Sequence, residues 1–388
     1  MKRRLVLAHR QATTAEPEKR NVFMSVTGWK GDGFDLGGGA CYRKPYVDSQ
    51  EAVHNQSCVM CPPETQDPSC LKEDVAQVDL GGLAILRCTG ADRIGFLHRL
   101  TTASVQGVGV GAGCHSLLLD SKGHVLGDLR VCVRPDEVRL LVAAAAGQGI
   151  ATALAHYAVM DDFAVAVEPD VAVKALCGPR AAQALRAAGV PVPEDFAARP
   201  RWSHADAASP FGLLWLVRSH DLGSDGLWAF GAATACAALA ASLDLAGVPV
   251  LASDVAEALR IQAGEPRLGA EITGDVLPME VGLAAALDHK KGCYLGQETI
   301  VRARDRGLVR RRLAGLRLDG DGMPAAGDVI VFEQNPAAGR VTSVGRLSGQ
   351  SAVALALLAS AVPVGAEVGI SHGAETLTAA VVFDRPVW

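Results

Sequence analysis

Paired lysines, a thiol and two glycines stand together in Lys290-Lys291-Gly292-Cys293-Tyr294-Leu295-Gly296-Gln297-Glu298. A cysteine two residues after an ammonium pair sits in a positive field, which favours the thiolate and with it nucleophilic attack or metal ligation. Gly292 and Gly296 leave the backbone beside it open to a ligand. The same string also suits a buried cysteine in a tight loop, although the flanking charges are costly to bury for a structural thiol. Other groups carry weaker chemistry. Cys58-x-x-Cys61 has metal-ligand spacing, with Cys41, His54 and Cys70 in the same stretch, but no second CxxC or HxxxH completes a tetrahedral set. His98, His115, His124, His156, His220, His289 and His372 form no HxxxH or HxH pair, so no metal site is expected. Arg302, Arg304, Arg306, Arg310, Arg311 and Arg312 read either as an anion site or as spaced charge on a solvated linker. Glu280, two residues after Pro278, either opens a helix, where a carboxylate complements the macrodipole, or touches a ligand.

These residues need elements to hold them. From Val75 onward the pattern is that of a folded chain. Leu83–Cys88 reads as a strand, and Thr89-Gly90-Ala91-Asp92 as a turn capping a helix with Ile94, Leu97 and Leu100 on one face. Strand patterns follow at Cys114–Leu119, Val125–Val133 and Val138–Ala143, then a helix over Gly149–Val159 and a strand over Phe163–Val167. A strand–helix unit covers Val171–Ala188, and Leu213–Val217 and Leu227–Gly231 flank a turn before the Ala-rich helix Thr234–Ala246. Interleaved helices and hairpins predict α+β packing, not a doubly wound sheet. After Arg312 the period is that of strands alone: Leu313–Leu318, Val329–Glu333, Gly339–Leu347, Ala352–Leu358, Glu367–Ile370 and Thr376–Phe383. Six short strands separated by Gly-containing turns make a small barrel or sandwich. Residues 1–73 are rich in Gly, Pro, Glu, Gln and Ser, with the breaker cluster Pro62–Pro68, and are expected to form a poorly ordered arm. The predicted division is 1–73, 74–309 and 310–388.

Composition bounds the reading. The chain has 388 residues, 49% hydrophobic and 20% charged, enough for two or three cores and too apolar for wholesale disorder. Aromatics are only 5%, so small aliphatic residues must fill those cores. Lys+Arg 37 against Asp+Glu 42 gives a net charge of −5, which argues against coating nucleic acid by charge alone. Ten cysteines in a chain this long do not suggest a disulfide framework. Leu140–Ala155 and Ala352–Ile370 are the most apolar runs, and both are interrupted short of the roughly 20 residues a membrane span needs. Met1-Lys2-Arg3-Arg4 is basic like a leader, but Leu5–Ala8 is too short for its apolar region, and Glu16 and Glu18 do not suit a transit peptide. A soluble, cytoplasmic protein is expected.

Lys291-Gly292-Cys293-Tyr294-x-Gly296-Gln297-Glu298 resembles the signature of the YgfZ-type folate-binding proteins. These are paralogues of the glycine-cleavage T protein that assist iron–sulfur cluster assembly and tRNA modification. The likeness extends to Leu259-Arg260-Ile261-x-Ala263-Gly264-x-Pro266-Arg267-x-Gly269, to Leu277-Pro278-x-Glu280-x-Gly282-Leu283, to Arg302, Gly307 and Arg311-Arg312-Leu313, and to Gly339-x-Val341-Thr342-Ser343. Near the start, Gly90-x-Asp92, Phe96-Leu97 and Leu100-Thr101-Thr102 match as well, so the resemblance covers roughly 74–388. It implies a T-protein-like, multi-lobed α+β fold with a small C-terminal β-barrel, and tetrahydrofolate as the bound cofactor. Folate contacts are implied at Asp128, Arg260, Glu280, Lys291, Gly292, Tyr294, Gly296, Gln297 and Glu298, with Cys293 as the working thiol. The implied partners are iron–sulfur proteins or their assembly machinery and tRNA-modifying enzymes, with no membrane involved.

The alternative is a folate-dependent aminomethyltransferase like the T protein itself, and two departures weigh against it. Arg218-Ser219-His220-Asp221-Leu222-Gly223-Ser224-Asp225-Gly226 places Ser224 where the T protein has a pterin-holding glutamate, so that charge-assisted hydrogen bond is lost. Gly123-His124-Val125-Leu126-Gly127-Asp128 keeps one acid where the T protein has a pair. Asp128 itself reads either as an acid at a reacting centre or as a strand-edge carboxylate in solvent. A third reading, an adaptor for protein or RNA without a ligand, stays open on sequence alone.

Overall fold

Long apolar runs such as Leu214-Trp215-Leu216-Val217 and Leu227-Trp228-Ala229-Phe230 lack the polar alternation of a sheet with one wet face, so both faces of their strands must be covered. The computed structural model, which describes residues 64–383 apart from 308, 320, 321, 373 and 374, shows how. Leu214, Leu216, Leu227 and Ala229 face one way, into a cluster with Leu185, Leu239 and Leu243 from the helices Ala181–Ala187 and Ala233–Leu245. Trp215, Val217, Trp228 and Phe230 face the other way, onto Ile85, Cys132 and Leu141 of a second sheet.

The first sheet has seven strands in the order Glu64–Thr65, Val250–Leu251, Ala76–Val78, Val171–Cys177, Ser224–Ala232, Gly212–Asp221, His204–Ser209. The first two contacts in it are parallel and the rest antiparallel. The second sheet is antiparallel throughout, in the order Gly113–Leu119, Val125–Val133, Val138–Ala143, Leu83–Thr89, Ala164–Val167. Its outer face takes Phe96, Leu97 and Leu100 of the helix Arg93–Leu100 and Ile150 and Leu154 of Gly147–Tyr157. The result is a helix–sheet–sheet–helix stack. Trp215, Trp228 and Phe230 supply much of the apolar area between the sheets. Truncating one such aromatic to alanine typically costs about 3–5 kcal/mol.

The C-terminal strands close into a six-stranded barrel: Arg311–Leu318, Val353–Ala359, Asn335–Gly345, Val329–Phe332, Glu367–His372, Glu375–Phe383. Its narrow interior mixes alanines, Ala314, Ala338, Ala354, Ala356 and Ala380 among them, with branched residues such as Leu316, Leu318, Ile330 and Ile370. All six strands lie where the sequence pattern puts them. The barrel is not the separate body the sequence suggests, however. A Cβ on Gly345 would come within 2.8 Å of Ala258 Cα in the helix Ser253–Gln262. Ion pairs described below tie the barrel to the rest.

Three further elements depart from the sequence expectation. The strand His204–Ser209, the helix Ser253–Gln262 and the helix Gln297–Asp305 had no predicted counterpart. Gln297–Asp305 buries only Ile300 and Ala303, so it carries too thin an apolar stripe to stand out from a charged linker. The predicted boundary at 73/74 falls inside the folded body. Glu64–Thr65 pairs with Val250–Leu251, and the helix Cys70–Glu73 buries Leu71. Residues 1–63, including Cys41, His54 and the Cys58/Cys61 pair, lie outside the described residues. Among the described residues no helix is long and apolar enough to cross a membrane.

Candidate functional site

Cys293 is exposed, whereas the other described cysteines are buried or half-buried. Burial pushes the thiols of Cys88, Cys132 and Cys177 well up, and that of Cys114 to about 11 against the pull of Lys291. Cys293 lies on an open groove of about 570 Å³ lined by Tyr294, Gln297, Glu298, Arg302 and Arg306 among others. The groove runs along the helix Gln297–Asp305.

Two fastenings place that thiol. Gly296, the residue before this helix, has φ +78°, and a Cβ there would stand 2.4 Å from the Asp120 carbonyl oxygen, so only glycine lets the loop rest on the Asp120–Gly123 turn. On the other side, Lys291 turns its ammonium away into the carbonyls of His98, Thr101 and Ala103. Burial lowers its pKa to about 8, with Asp288 opposing. Its Nζ also lies 5.4 Å from the Tyr294 ring centroid. Gly292 differs from Gly296, since nothing stands within 4 Å of a Cβ built on it. Tyr294 is buried in the core with its hydroxyl unpartnered, and Glu298 is exposed and paired to Arg302.

A second constellation, which the sequence reading identified only at Asp128, lies between the sheets. Asp128 and Arg130 alternate with Leu129 on the strand Val125–Val133, so both face the seven-stranded sheet while Leu129 faces the helices. Arg130 pairs with Asp128 and stands 5.4 Å from the Trp202 ring centroid. His115, opposite Arg130 in register, places Nε2 2.5 Å from Asp128 Oδ1. Burial alone would raise the Asp128 carboxyl, but Arg130 and His115 outweigh it and hold it below the usual range. Trp202 takes φ +68°, a strained backbone for a bulky residue, and its ring lies 5.6 Å from that of Trp228 at a tilt of 51°; the Trp228 indole N–H donates to Asp221 at 2.8 Å.

Asp221 opens the turn between the strands Gly212–Asp221 and Ser224–Ala232. Glu265 reaches into that turn and accepts the N–H groups of Leu222 and Gly223, each at 3.0 Å. Burial, and then the Asp221 charge, push Glu265 up to about 7, while burial raises Asp221 against Ser219, Trp228 and Arg130. Ser224 is occupied elsewhere, donating to the Leu71 carbonyl at 2.8 Å. Arg130, His115, Trp202, Asp221 and Glu265 were missed as site residues. The one signal in sequence was the Asp-x-Arg spacing within an apolar strand.

The other sequence candidates are structural ties. Arg260 is buried and bonds to Glu257 at 2.8 Å, to Glu271 at 3.1 Å and to the Ser343 hydroxyl of the barrel at 2.7 Å. Glu280 is buried, forks onto Arg311 with two contacts of 2.9 Å and accepts the Leu277 N–H, in a turn and not at a helix start. The arginine run is not one anion site. Arg302 pairs with Glu298, Arg304 with Asp305, Arg311 with Glu280 and Asp275, and Arg312 bonds to the Val362 carbonyl. Among the described residues no group of three or more His, Cys, Asp or Glu could hold a metal ion.

This architecture of two stacked sheets, flanking helices and a terminal barrel superposes on that of a solved structure. The glycine cleavage system aminomethyltransferase T from Bartonella henselae superposes with a TM-score of 0.71 at 22% identity, over 80% of this chain and 86% of that one. This chain has the T-protein fold. A family profile described as the GCVT N-terminal domain matches residues 53–207. An aminomethyltransferase of Mycobacterium avium (strain 104) is 29% identical over 285 residues, 71% of this chain and 75% of that protein. A putative chloroplastic transferase of Arabidopsis thaliana is 26% identical over 256 residues, 65% of this chain and 58% of that one. In T-protein-fold terms, the profile match covers the whole five-stranded sheet and both helices on its outer face, and ends in the strand His204–Ser209.

Proposed function

We propose that the protein binds tetrahydrofolate at the Asp128–Arg130–Asp221–Glu265 cluster and uses Cys293 as its working thiol, in support of iron–sulfur protein maturation and tRNA modification. The observation that carries this reading is the exposed Cys293, set on a groove by a loop fastened on both sides. The cluster suits a reduced pterin. Such a ring offers N–H donors and a carbonyl on one flat edge, and its tail carries carboxylates. Asp221 and Glu265 are the acceptors, Arg130 has a buried Nε–H without a partner, and the half-buried Trp202 supplies an aromatic edge. When bound, the folate would supply a one-carbon carrier. The chain's own residues hold it and keep the Asp128 carboxylate ionised.

The second reading is an aminomethyltransferase. It is favoured by the fold and by the names of the relatives. Against it, Asp128 is engaged by Arg130 and His115, and Ser224 by the Leu71 carbonyl, so neither stands free for an ammonium-bearing adduct. Titration of the full chain with tetrahydrofolate, followed by Trp fluorescence, and an assay with the aminomethyl-loaded lipoyl carrier protein separate the two. Binding without turnover supports the thiol reading, and clear turnover replaces it with the transferase. Absence of binding removes both.

A further inference from the structure

The Lys291 ammonium has three N–H donors and meets three acceptors, the carbonyls of His98, Thr101 and Ala103. His98 lies in the last turn of the helix Arg93–Leu100, Thr101 caps it and Ala103 lies two residues beyond, so the lysine satisfies one carbonyl the helix leaves open at its negative end and two of the segment that leaves it. The stretch leading to the thiol is stitched to the same segment elsewhere. Asp288 N–H donates to the Thr102 carbonyl at 3.0 Å, and the Thr102 hydroxyl donates to the Ala286 carbonyl at 2.7 Å. The Thr102 hydroxyl in turn accepts the Leu117 N–H at 2.8 Å, which anchors the stitch in the sheet. Asp288 Oδ1 accepts the N–H groups of Lys290 at 2.8 Å and Lys291 at 3.2 Å, closing the turn that aims the lysine inward. The titratable groups facing Nζ are Asp288, His98 and Cys114.

We propose that Lys291 is a positioning residue: its ammonium clips the Cys293 loop to the C-terminal end of the helix Arg93–Leu100 and so sets where the thiol stands on its groove. It does not act as the charge that activates the thiol. This rests on the reading of Cys293 as the working group, because only then does the thiol's placement matter. Arginine cannot replace the clip, since its planar fork does not point three donors from one nitrogen at three converging carbonyls.

The test compares full-length Lys291→Met, Lys291→Arg and Lys291→Gln with the neighbour control Lys290→Met. Two quantities are read: amide hydrogen exchange over residues 286–296, and the pH profile of Cys293 alkylation by iodoacetamide. A clip predicts that all three Lys291 variants speed exchange over 286–296 by about tenfold or more, while Lys290→Met does not. It also predicts that the alkylation midpoint stays within about half a pH unit of the parent, where loss of an activating charge would raise it by about one unit or more. If the midpoint rises that far with exchange unchanged, or if arginine restores full protection, the clip is wrong. Should Lys291→Met not fold, Lys291→Gln, which keeps two donors, carries the same readouts. Failure of the underlying reading looks different: Cys293→Ser would then support iron–sulfur enzymes fully, whatever the exchange of the loop shows.

Discussion

The thiol loop and the inter-sheet ion cluster sit in one body but are built in opposite ways. The loop is contiguous in sequence, exposes its reactive atom, and depends on backbone: a left-handed glycine at 296 and carbonyls that take up Lys291. The cluster draws Asp128 and Arg130 from one strand, His115 from its neighbour, Trp202 from a loop, Asp221 from the facing sheet and Glu265 from beyond the helix Ser253–Gln262. Its groups are half-buried, Asp128 is held ionised by Arg130 and His115, and the Asp221 charge helps push Glu265 up. The loop tolerates loss of its thiol but not of its backbone shape or of the lysine that fastens it. A half-buried charge network tolerates neither partner's removal, because the charge left behind is uncompensated.

The largest effect should therefore come from the cluster. Arg130→Met leaves Asp128, Asp221 and Glu265 without the cation they share, and should cost about 3–5 kcal/mol in urea unfolding near pH 7.5. A loss no larger than that of a surface arginine would mean that the cluster is solvated and that the contrast fails. The loop's counterpart is Gly296→Ala. With φ +78° and Asp120 O at 2.4 Å from the new Cβ, it should cost roughly 1–3 kcal/mol and disturb Cys293 labelling. Gly292→Ala, with open space around its Cβ, should cost less than about 0.5 kcal/mol in the same denaturation series.

Glu265 gives a pH signature. Its folded form keeps the proton up to about pH 7. An unfolded glutamate gives it up near pH 4.3, so between about 4.3 and 7 the folded state binds more protons. Stability from this group therefore falls as pH rises through that window. Glu265→Gln removes the opposition and should stabilise by about 1–2 kcal/mol at pH 8, with the gain vanishing near pH 5. Equal gains at both pH values would show that the carboxyl is not held protonated.

Cys293→Ser belongs with Gly292→Ala among the smallest effects. It should leave stability within about 0.5 kcal/mol, since an exposed thiol packs against little. Iodoacetamide applied to the parent near neutral pH should label Cys293 before Cys114, Cys88 or Cys132, as peptide mapping would reveal.

Much of the architecture is decided by local pattern. Period-2 apolar runs after Arg312, broken by glycine turns, put all six barrel strands in place, and the hairpins of the five-stranded sheet follow from the same rule. The Cys293 string is equally local, because a loop's chemistry is written in consecutive residues. Where each charge goes is not local. Lys291 reads as a field for the thiol two residues on, and instead bonds to carbonyls about 190 positions earlier in the chain. Arg260 and Glu280 read as ligand contacts and instead tie the body to the barrel through Ser343 and Arg311. Glu265 shows no pattern at all until the fold brings it under the turn after Asp221. Sequence thus determined most of the strands and helices, though not His204–Ser209, Ser253–Gln262 or Gln297–Asp305, and which thiol lies in a glycine-flanked loop. Only the tertiary structure decided which ionisable groups face one another, because their partners lie far away in the chain and coupling between charges is screened beyond about 10 Å.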